Sequence, residues 1–411
     1  MSQSQRLRLL LCWGYHRSGW IQPFEQLRDQ FDVHYLFHRS AAEEEGCRTD
    51  APRHYWLDYT DAASVIERIA PDRIVFMALD GAWVIALNAE ARRRGIPTFV
   101  VQHGHFNPVD ESEARPAAQG LSTALQGGSP VAAVRFAGHS FGVAGGLGLA
   151  QTLRFMADAR RTTARDAMRR HRFADRLPDY YVALSPESAQ IYLQLDGAPT
   201  ERVACIGVPE YDEIFGSVPA SVPEDGPLLL LDSPNAENRW NATTMTVKDK
   251  VDFLRSLDDT VASVGRRLRV KLHPESYASQ WLPELTNGTY LRDADLVEEL
   301  SRAEVCVGFD STLMIPAVWL RPTVIVRLRP SRILDVAAET GAASITSSLT
   351  GIDAQLLSTA RRRFVRTELE RQQYVERLSY RPDGRASERL REVLSDPKTA
   401  LGRYCLDPEV G

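Results

Sequence analysis

Residues 73–104 read RIVFMALDGAWVIALNAEARRRGIPTFVVQHG. Arg73 to Met77 is a compact apolar run, and so is Thr98 to Val101. Between them lies a helix-forming stretch from Gly81 to Arg94, stopped by Gly95-Ile96-Pro97. Strand, helix and strand in this order describe parallel strands joined by a crossover helix. Strands that are apolar along their whole length belong to a sheet covered on both faces. Asp80, Gln102 and His103 fall just after the two strands, where sheets of this kind place their ligand-binding loops.

The same rhythm extends in both directions. Toward the N-terminus, Leu7 to Cys12, Val33 to Phe37 and Tyr55 to Leu57 read as strands, with helices at Phe24 to Phe31 and Ala62 to Ile69. Toward the C-terminus the rhythm breaks over 107–146, which is rich in Gly, Ala, Ser and Pro and has no clear period. A single basic helix is expected over 147–172, which carries seven arginines. Strands resume at Tyr180 to Leu184 and Val203 to Ile206, around a helix at Pro186 to Leu195. The Pro- and Gly-rich stretch SVPASVPEDGP, 217–227, suits a linker. A second set follows, with strands at Leu228 to Leu231, Arg269 to Leu272, Val305 to Val307 and Thr323 to Val326. Its helices are expected at Val247 to Val264, Leu296 to Arg302 and Ser311 to Leu320. Residues 353–394 are mostly helical and highly charged. The expected division is a domain over 1–217 with an insertion at about 107–178, a linker over 218–226, a domain over 227–395 and a tail over 396–411.

At 411 residues the chain is too long for one ordinary core. Its net charge of −5 gives no support to nucleic-acid binding. Its five cysteines, Cys12, Cys47, Cys205, Cys306 and Cys405, form no CxxC pair, which fits buried free thiols in a reducing cytoplasm. The apolar run Leu9 to Trp13 is too short for a signal peptide, and no stretch reaches the roughly 18 apolar residues of a bilayer span. The expectation is a soluble cytoplasmic protein. The basic segment 147–172 is either a solvated face or a surface that meets the membrane or an anionic glycan carrier.

Several polar groups follow strands. In RVKLHPE, 269–275, Pro274 fixes the backbone and turns the loop outward, so His273 projects with Lys271 and Glu275 around it. In GFDST, 308–312, Ser311 or Thr312 is expected to cap the next helix and form an anion site, with Asp310 beside them. Gly207 opens GVPEYD, 207–212, an interdomain turn or a ligand contact. Asp80 is a general base, a nucleophile or a plain helix cap; Asp110, Asp179 and Asp212 are less well placed. His103 and His105 flank Gly104, which permits a tight turn, but no third ligand at a metal-site spacing accompanies them, so no metal is expected.

Taken in order, the strand–helix–QHG segment (73–104), GVPEYD (207–212), KLHPE (271–275), Ser311-Thr312 and DGRAS (383–387) resemble bacterial surface-polysaccharide glycosyltransferases of the GT-B fold. The resemblance covers roughly 70–105 and 180–395. It implies an α/β protein of two Rossmann-like doubly wound domains facing each other across a cleft, the first on the acceptor side and the second binding the nucleotide donor. The His-Pro turn followed by a serine-bearing helix start looks like enzymes with CMP-activated donors, among them Kdo (a 3-deoxy-ulosonic acid) and sialic acid transferases and the related CDP-glycerol polymerases. That implies His273 on the donor phosphate, supported by Ser311 or Thr312, with Asp80 or His103 on the acceptor side. Lys271, Arg239 and Arg327 are plausible partners for the donor's charges. Pro316 stands where many UDP- and GDP-sugar enzymes carry a ribose-binding glutamate, which favours cytidine. The implied partners are a nucleotide-sugar donor and a glycan or lipid-linked glycan acceptor, with no separate cofactor and no nucleic acid. A CDP-alditol phosphotransferase and a UDP-sugar transferase or 2-epimerase are the alternatives.

Overall fold

The computed structural model describes residues 6–13, 18–37, 49–104, 130–142, 147–237 and 245–405. The chain forms two compact units. The first takes its described residues from 1–106, 111–210 and 385–411, the second from 211–384.

The first unit holds a seven-stranded, all-parallel sheet. Its strands are β1 (Leu7–Trp13), β2 (Phe31–Phe37), β3 (Arg53–Tyr55), β4 (Arg73–Phe76), β5 (Thr98–Val101), β6 (Tyr180–Ala183) and β7 (Val203–Cys205), in the order β3-β2-β1-β4-β5-β6-β7. Residues 9–12 of β1 and all of β5 are buried on both faces, as continuous apolar runs require. The helices are α1 (Ser18–Glu25), α2 (Ala62–Ile69), α3 (Ala82–Arg93), α4 (Pro130–Gly142), α5 (Leu147–Arg161), α6 (Ala164–Arg170) and α7 (Pro186–Asp196). Local chemistry sets several ends. Asp61 and Ser64 form a capping box on α2, and Ser185 caps α7, which starts at Pro186 and stops at left-handed Gly197.

The second unit holds a six-stranded parallel sheet. Its strands are β8 (Leu228–Leu231), β9 (Leu268–Lys271), β10 (Gly288–Leu291), β11 (Val305–Gly308), β12 (Thr323–Val326) and β13 (Ser344–Thr346), in the order β10-β9-β8-β11-β12-β13. Its helices are α8 (Asp212–Ser217), α9 (Val247–Ser263), α10 (Leu296–Arg302), α11 (Met314–Leu320), α12 (Arg332–Thr340), α13 (Ala354–Phe364) and α14 (Glu368–Ser379). Both sheets follow the doubly wound order, two strands one way from the first strand and the rest the other way. The expected α/β fold with two doubly wound units is what the chain forms.

The boundaries differ from the sequence reading. Residues 218–226 are not a free linker but an edge of the second unit. Arg321 donates to the Pro219 carbonyl, Arg266 to the Glu224 carbonyl, and Gly226 lies so close to the 302–304 backbone that a Cβ there would overlap the Arg302 carbonyl. The last helices, α15 (Ala386–Ser395) and α16 (Pro397–Tyr404), belong to the first unit. Leu390, Val393, Leu394, Ala400 and Leu401 enter its core beside Leu9 and Ile206. There is accordingly no separate tail at 396–405.

The basic segment is two helices rather than one, because Thr163 ends the run and caps α6 through the Asp166 amide. Part of the stretch read as aperiodic, 130–142, is helical. Helix α1 ends at Glu25, and Phe31 opens β2 instead of closing a helix.

Candidate functional site

In each sheet the strand order reverses beside its first strand, between β1 and β4 and between β8 and β11. Ligands of such sheets bind at the carboxyl ends next to that reversal.

In the first unit this rim carries Trp13 at the end of β1, Asp80 after β4, and Gln102, His103 and Gly104 after β5. Strands β4 and β5 are neighbours, so Asp80 and His103 follow adjacent strands. Gln102 is a structural clamp. Its side-chain amide donates to the Gly104 carbonyl (2.8 Å) and the Ser188 hydroxyl (3.0 Å), and its carbonyl accepts from the Leu184 amide (2.9 Å). Gly104 sits at φ +62°, a conformation that other residues adopt at a cost. The clamp fixes His103, whose ring meets Trp13 edge-to-face at 6.1 Å, and Trp13 in turn packs on Phe24 at 5.0 Å. Burial among these groups pushes the His103 imidazole down to about 4, so it is neutral at physiological pH.

Asp80 is not the helix cap. The N-cap of α3 is Gly81, and the Asp80 side chain remains accessible to water at the rim. Loss of hydration nevertheless raises its carboxyl above the ordinary range, opposed by its own amide and by Arg176. A carboxylate raised in this way is a better proton acceptor than an ordinary aspartate. Asp179 has a different task, since it pairs with Arg92 (3.0 Å) and accepts from the Thr98 amide (3.1 Å) at the opposite end of the sheet. Gly207 follows β7, three strands from β4, and is not brought to the reversal. It needs its glycine for φ +91°, and Arg389 holds the preceding Ile206 carbonyl at 2.6 Å.

In the second unit His273 caps a short 3-10 turn, Pro274–Ser276, and its Nδ1 accepts from the Glu275 amide at 3.2 Å. That bond requires an unprotonated Nδ1, so the neutral ring carries its proton on Nε2 and offers a donor there. Pro274 and Glu275 are exposed at the turn. Lys271 ends β9 half-buried. Desolvation lowers its ammonium pKa, and the charges of Asp232 and Asp293 oppose the shift.

The His273 and Ser311 loops do not follow neighbouring strands. Strand β8 lies between β9 and β11, so the two loops stand two strand spacings apart, roughly 10 Å. The end of β8 fills that gap with Asp232 and Ser233, which the sequence reading passed over. Asp232 is buried. It accepts from the His273 amide (3.2 Å) and the Ser276 hydroxyl (2.7 Å), and it meets Lys250 of α9 at 2.9 Å. Lys250 also contacts Glu237 (2.6 Å) and the Ser233 carbonyl (3.1 Å), and lies 5.6 Å from the centre of the Trp281 ring.

On the far side of β8, a Cβ on Gly308 would displace the Met314 side chain, whose sulfur packs against it. Ser311 and Thr312 do not cap α11. The helix starts at Met314 behind Leu313, and Ser311 instead accepts from the Leu313 amide at 3.3 Å. Two backbone bonds, Met314 N to Ser311 O and Ile315 N to Thr312 O, make this a turn ahead of the helix. Asp310 is held by Arg329 at 2.5 Å, Arg327 is engaged by Asp335, and Pro316 is buried within α11. Arg239, His105, Asp110 and Cys47 lie outside the described residues. Among the described residues no three His, Cys, Asp or Glu side chains gather as metal ligands.

No protein-family description matches the chain, and no curated protein matches its sequence. Solved structures do. The wall teichoic acid polymerase TagF matches at 12% identity and a TM-score of 0.53, over 96% of this chain and 89% of TagF. The calicheamicin glycosyltransferase CalG4 matches at 14% and 0.52, over 95% and 99%. A putative UDP-N-acetylglucosamine 2-epimerase from Listeria monocytogenes matches at 11% and 0.51, over 95% and 96%. The shared property is the fold: a two-domain α/β architecture of the GT-B type, with two parallel sheets flanked by helices.

Two outcomes test this account. Asp232→Ala should destabilise the second unit by about 3–5 kcal/mol, because it breaks a buried ion pair and frees the His273 turn. Urea unfolding followed by Trp fluorescence measures this, and a loss under about 1 kcal/mol would show that Lys250 does not depend on Asp232. For His103, the unfolded imidazole binds its proton near 6.5 and the folded one near 4, so its contribution is full above 6.5 and is lost as pH falls toward 4. Between pH 7 and 4.5 that loss is on the order of 2 to 3 kcal/mol, and His103→Gln should flatten this part of the stability profile by that amount.

Proposed function

We propose that this chain is a glycosyltransferase that moves a 3-deoxy-ulosonic acid sugar, Kdo foremost, from a CMP-activated donor to a glycan or lipid-linked glycan acceptor of capsule, O-antigen or lipopolysaccharide synthesis. The observation that carries the reading is the His273 turn. Its Nδ1 is occupied by the Glu275 amide, its backbone is anchored on buried Asp232, and Lys271 ends the same strand. An Nε2–H donor and an ammonium set beyond the strand ends suit the phosphate and carboxylate of a CMP-linked sugar acid. The monophosphate linkage presents no diphosphate for a metal clamp.

Asp80 takes the acceptor side. The acceptor hydroxyl oxygen bonds to the anomeric carbon, its proton passes to the Asp80 carboxylate, and the bond from that carbon to the phosphate oxygen breaks to release CMP. The raised Asp80 pKa supports the role of base, and His103, held by the Gln102 clamp beside Trp13, orients the rim. A second reading has one observation in its favour, the likeness to TagF. It is a CDP-alditol phosphotransferase, which also releases CMP but leaves a phosphodiester in the product.

The first test is thermal denaturation of wild type and His273→Ala with CMP, CDP, UDP or GDP. At a hundredfold excess over Kd, a ligand of the folded state adds about 2.7 kcal/mol. CMP should raise the Tm of the wild type and leave the variant unmoved; stabilisation by UDP without CMP would overturn the cytidine donor. Product mass then separates a sugar acid from a phosphodiester. In the transfer assay, Asp80→Asn should lower kcat by about 10²–10⁴ and remove the acid limb of the pH profile. That limb should lie above the ordinary carboxylate range, because activity appears as the raised Asp80 group ionises. A variant retaining wild-type kcat would remove Asp80 from the chemistry.

A further inference from the structure

Helices α4 and α5 both pack on α3, burying Phe136, Ala137 and Phe141 of the first and Gly148, Thr152 and Phe155 of the second. Their other faces are open to water and carry an unusual mixture. Among the described residues of the first unit, the exposed large apolar side chains are Leu57, Val131, Val134, Leu147 and Leu153, and all but Leu57 lie on these two helices. Val131 and Leu147 are 75% and 73% exposed. The basic residues share the same surface. Leu147, Arg154 and Arg161 recur every seven residues and fall on one stripe of α5, with Leu153 and Arg160 on the next.

Part of the charge is left open among the described residues. Residues 147–172 hold seven arginines against two aspartates, in a chain whose net charge is −5. Arg170 is paired with Asp158 and Arg169 with Asp166. Arg154, Arg160 and Arg161 are exposed and have no ion-pair partner among the described residues.

We propose that the outer face of α4 and α5 is a docking surface for an anionic lipid bilayer, with Val131, Leu147 and Leu153 entering the headgroup boundary and Arg154, Arg160 and Arg161 meeting lipid phosphates. Aliphatic side chains set among unpaired arginines suit an interface that is apolar beneath and anionic above. A nucleic acid would meet the same charge, but the exposed large side chains here are aliphatic and offer no ring for base stacking. No described helix is long and apolar enough to cross a membrane, so the contact is peripheral. The inference stands independently of the donor reading.

The test is co-sedimentation of the full chain with phosphatidylglycerol–phosphatidylcholine vesicles and with pure phosphatidylcholine vesicles, at low and high salt. Retention is expected on the anionic vesicles only, and should weaken as salt screens the charges. Arg154→Gln/Arg160→Gln/Arg161→Gln should weaken it by roughly a hundredfold, at about fivefold per arginine. Val131→Ser/Leu147→Ser should weaken the part that persists at high salt. All five positions are exposed, so both variants should keep the wild-type melting curve and the wild-type response to CMP. Failure of the anionic vesicles to retain the wild type would overturn the proposal, as would retention that the triple variant leaves unchanged. Capture of single-stranded RNA in preference to the vesicles would overturn it in favour of a nucleic-acid surface.

Discussion

A parallel strand cannot be followed by its neighbour without a crossover, and a sheet buried on both faces needs crossovers on both sides. Every other feature of the two units follows from that requirement. Winding away from β1 in one direction through β2 and β3, and in the other through β4 to β7, puts covering helices on opposite faces. The connections leaving β1 and β4 therefore part, and the polar residues after these strands are not packed under a helix. The second sheet repeats the device at β8 and β11. Both rims can thus hold ionisable groups while the strands beneath remain wholly apolar.

The two rims solve the electrostatic problem differently. At the first, loss of hydration acts against charge, raising the carboxyl of Asp80, which stays open at the rim, and depressing partly buried His103, with Trp13 supplying apolar surface. At the second, charge is retained inside the protein by pairing. Lys250 stands between Asp232 and Glu237, all three nearly without solvent contact. A buried pair of this kind adds little net stability compared with apolar packing. Its value here is positional, because Lys250 holds one oxygen of Asp232 while the other accepts from Ser276 and sets the height of the His273 amide. The imidazole is then oriented by a second bond, from Glu275, so that both its place and its tautomer are fixed before any ligand arrives.

How much of this was legible depends on whether the signal was local. Strands such as RIVF and LLLL announce themselves because both faces are buried. Edge strand β10, GTYL, is only half-buried and carries no such run, so it was missed. Asp232 was within reach of the sequence, since it follows LLLL as Asp80 follows the RIVF strand. Lys250 was not. A lysine in a charged helix reads as solvent-facing, and only the fold places it over Asp232 and Trp281. The return of α15 and α16 to the first unit was equally hidden, because Leu390 and Leu394 have ordinary helical spacing that names no partner. Ser311 shows the opposite failure. Its local cap signal was genuine, but the chain spends it on a turn ahead of α11.

The insertion after β5 also explains a helix that looks wrong by amphipathic logic. In α3 the residues Ala82 to Ala91 are all buried, although a helix on the face of a sheet ordinarily keeps one side polar and wet. The outer side of α3 is covered instead by α4 and α5, while Asn88 ties it to the Asp175 and Leu177 carbonyls. Trp83 of α3 stacks on Trp56 at 5.3 Å, and Phe136 of α4 meets the same Trp56 edge-on at 5.8 Å. Asp80 stands two residues ahead of α3. The surface proposed to meet lipid and the carboxylate proposed to take the acceptor proton are therefore joined through one fully packed helix, and a close-packed interior does not deform at one end without loading the other.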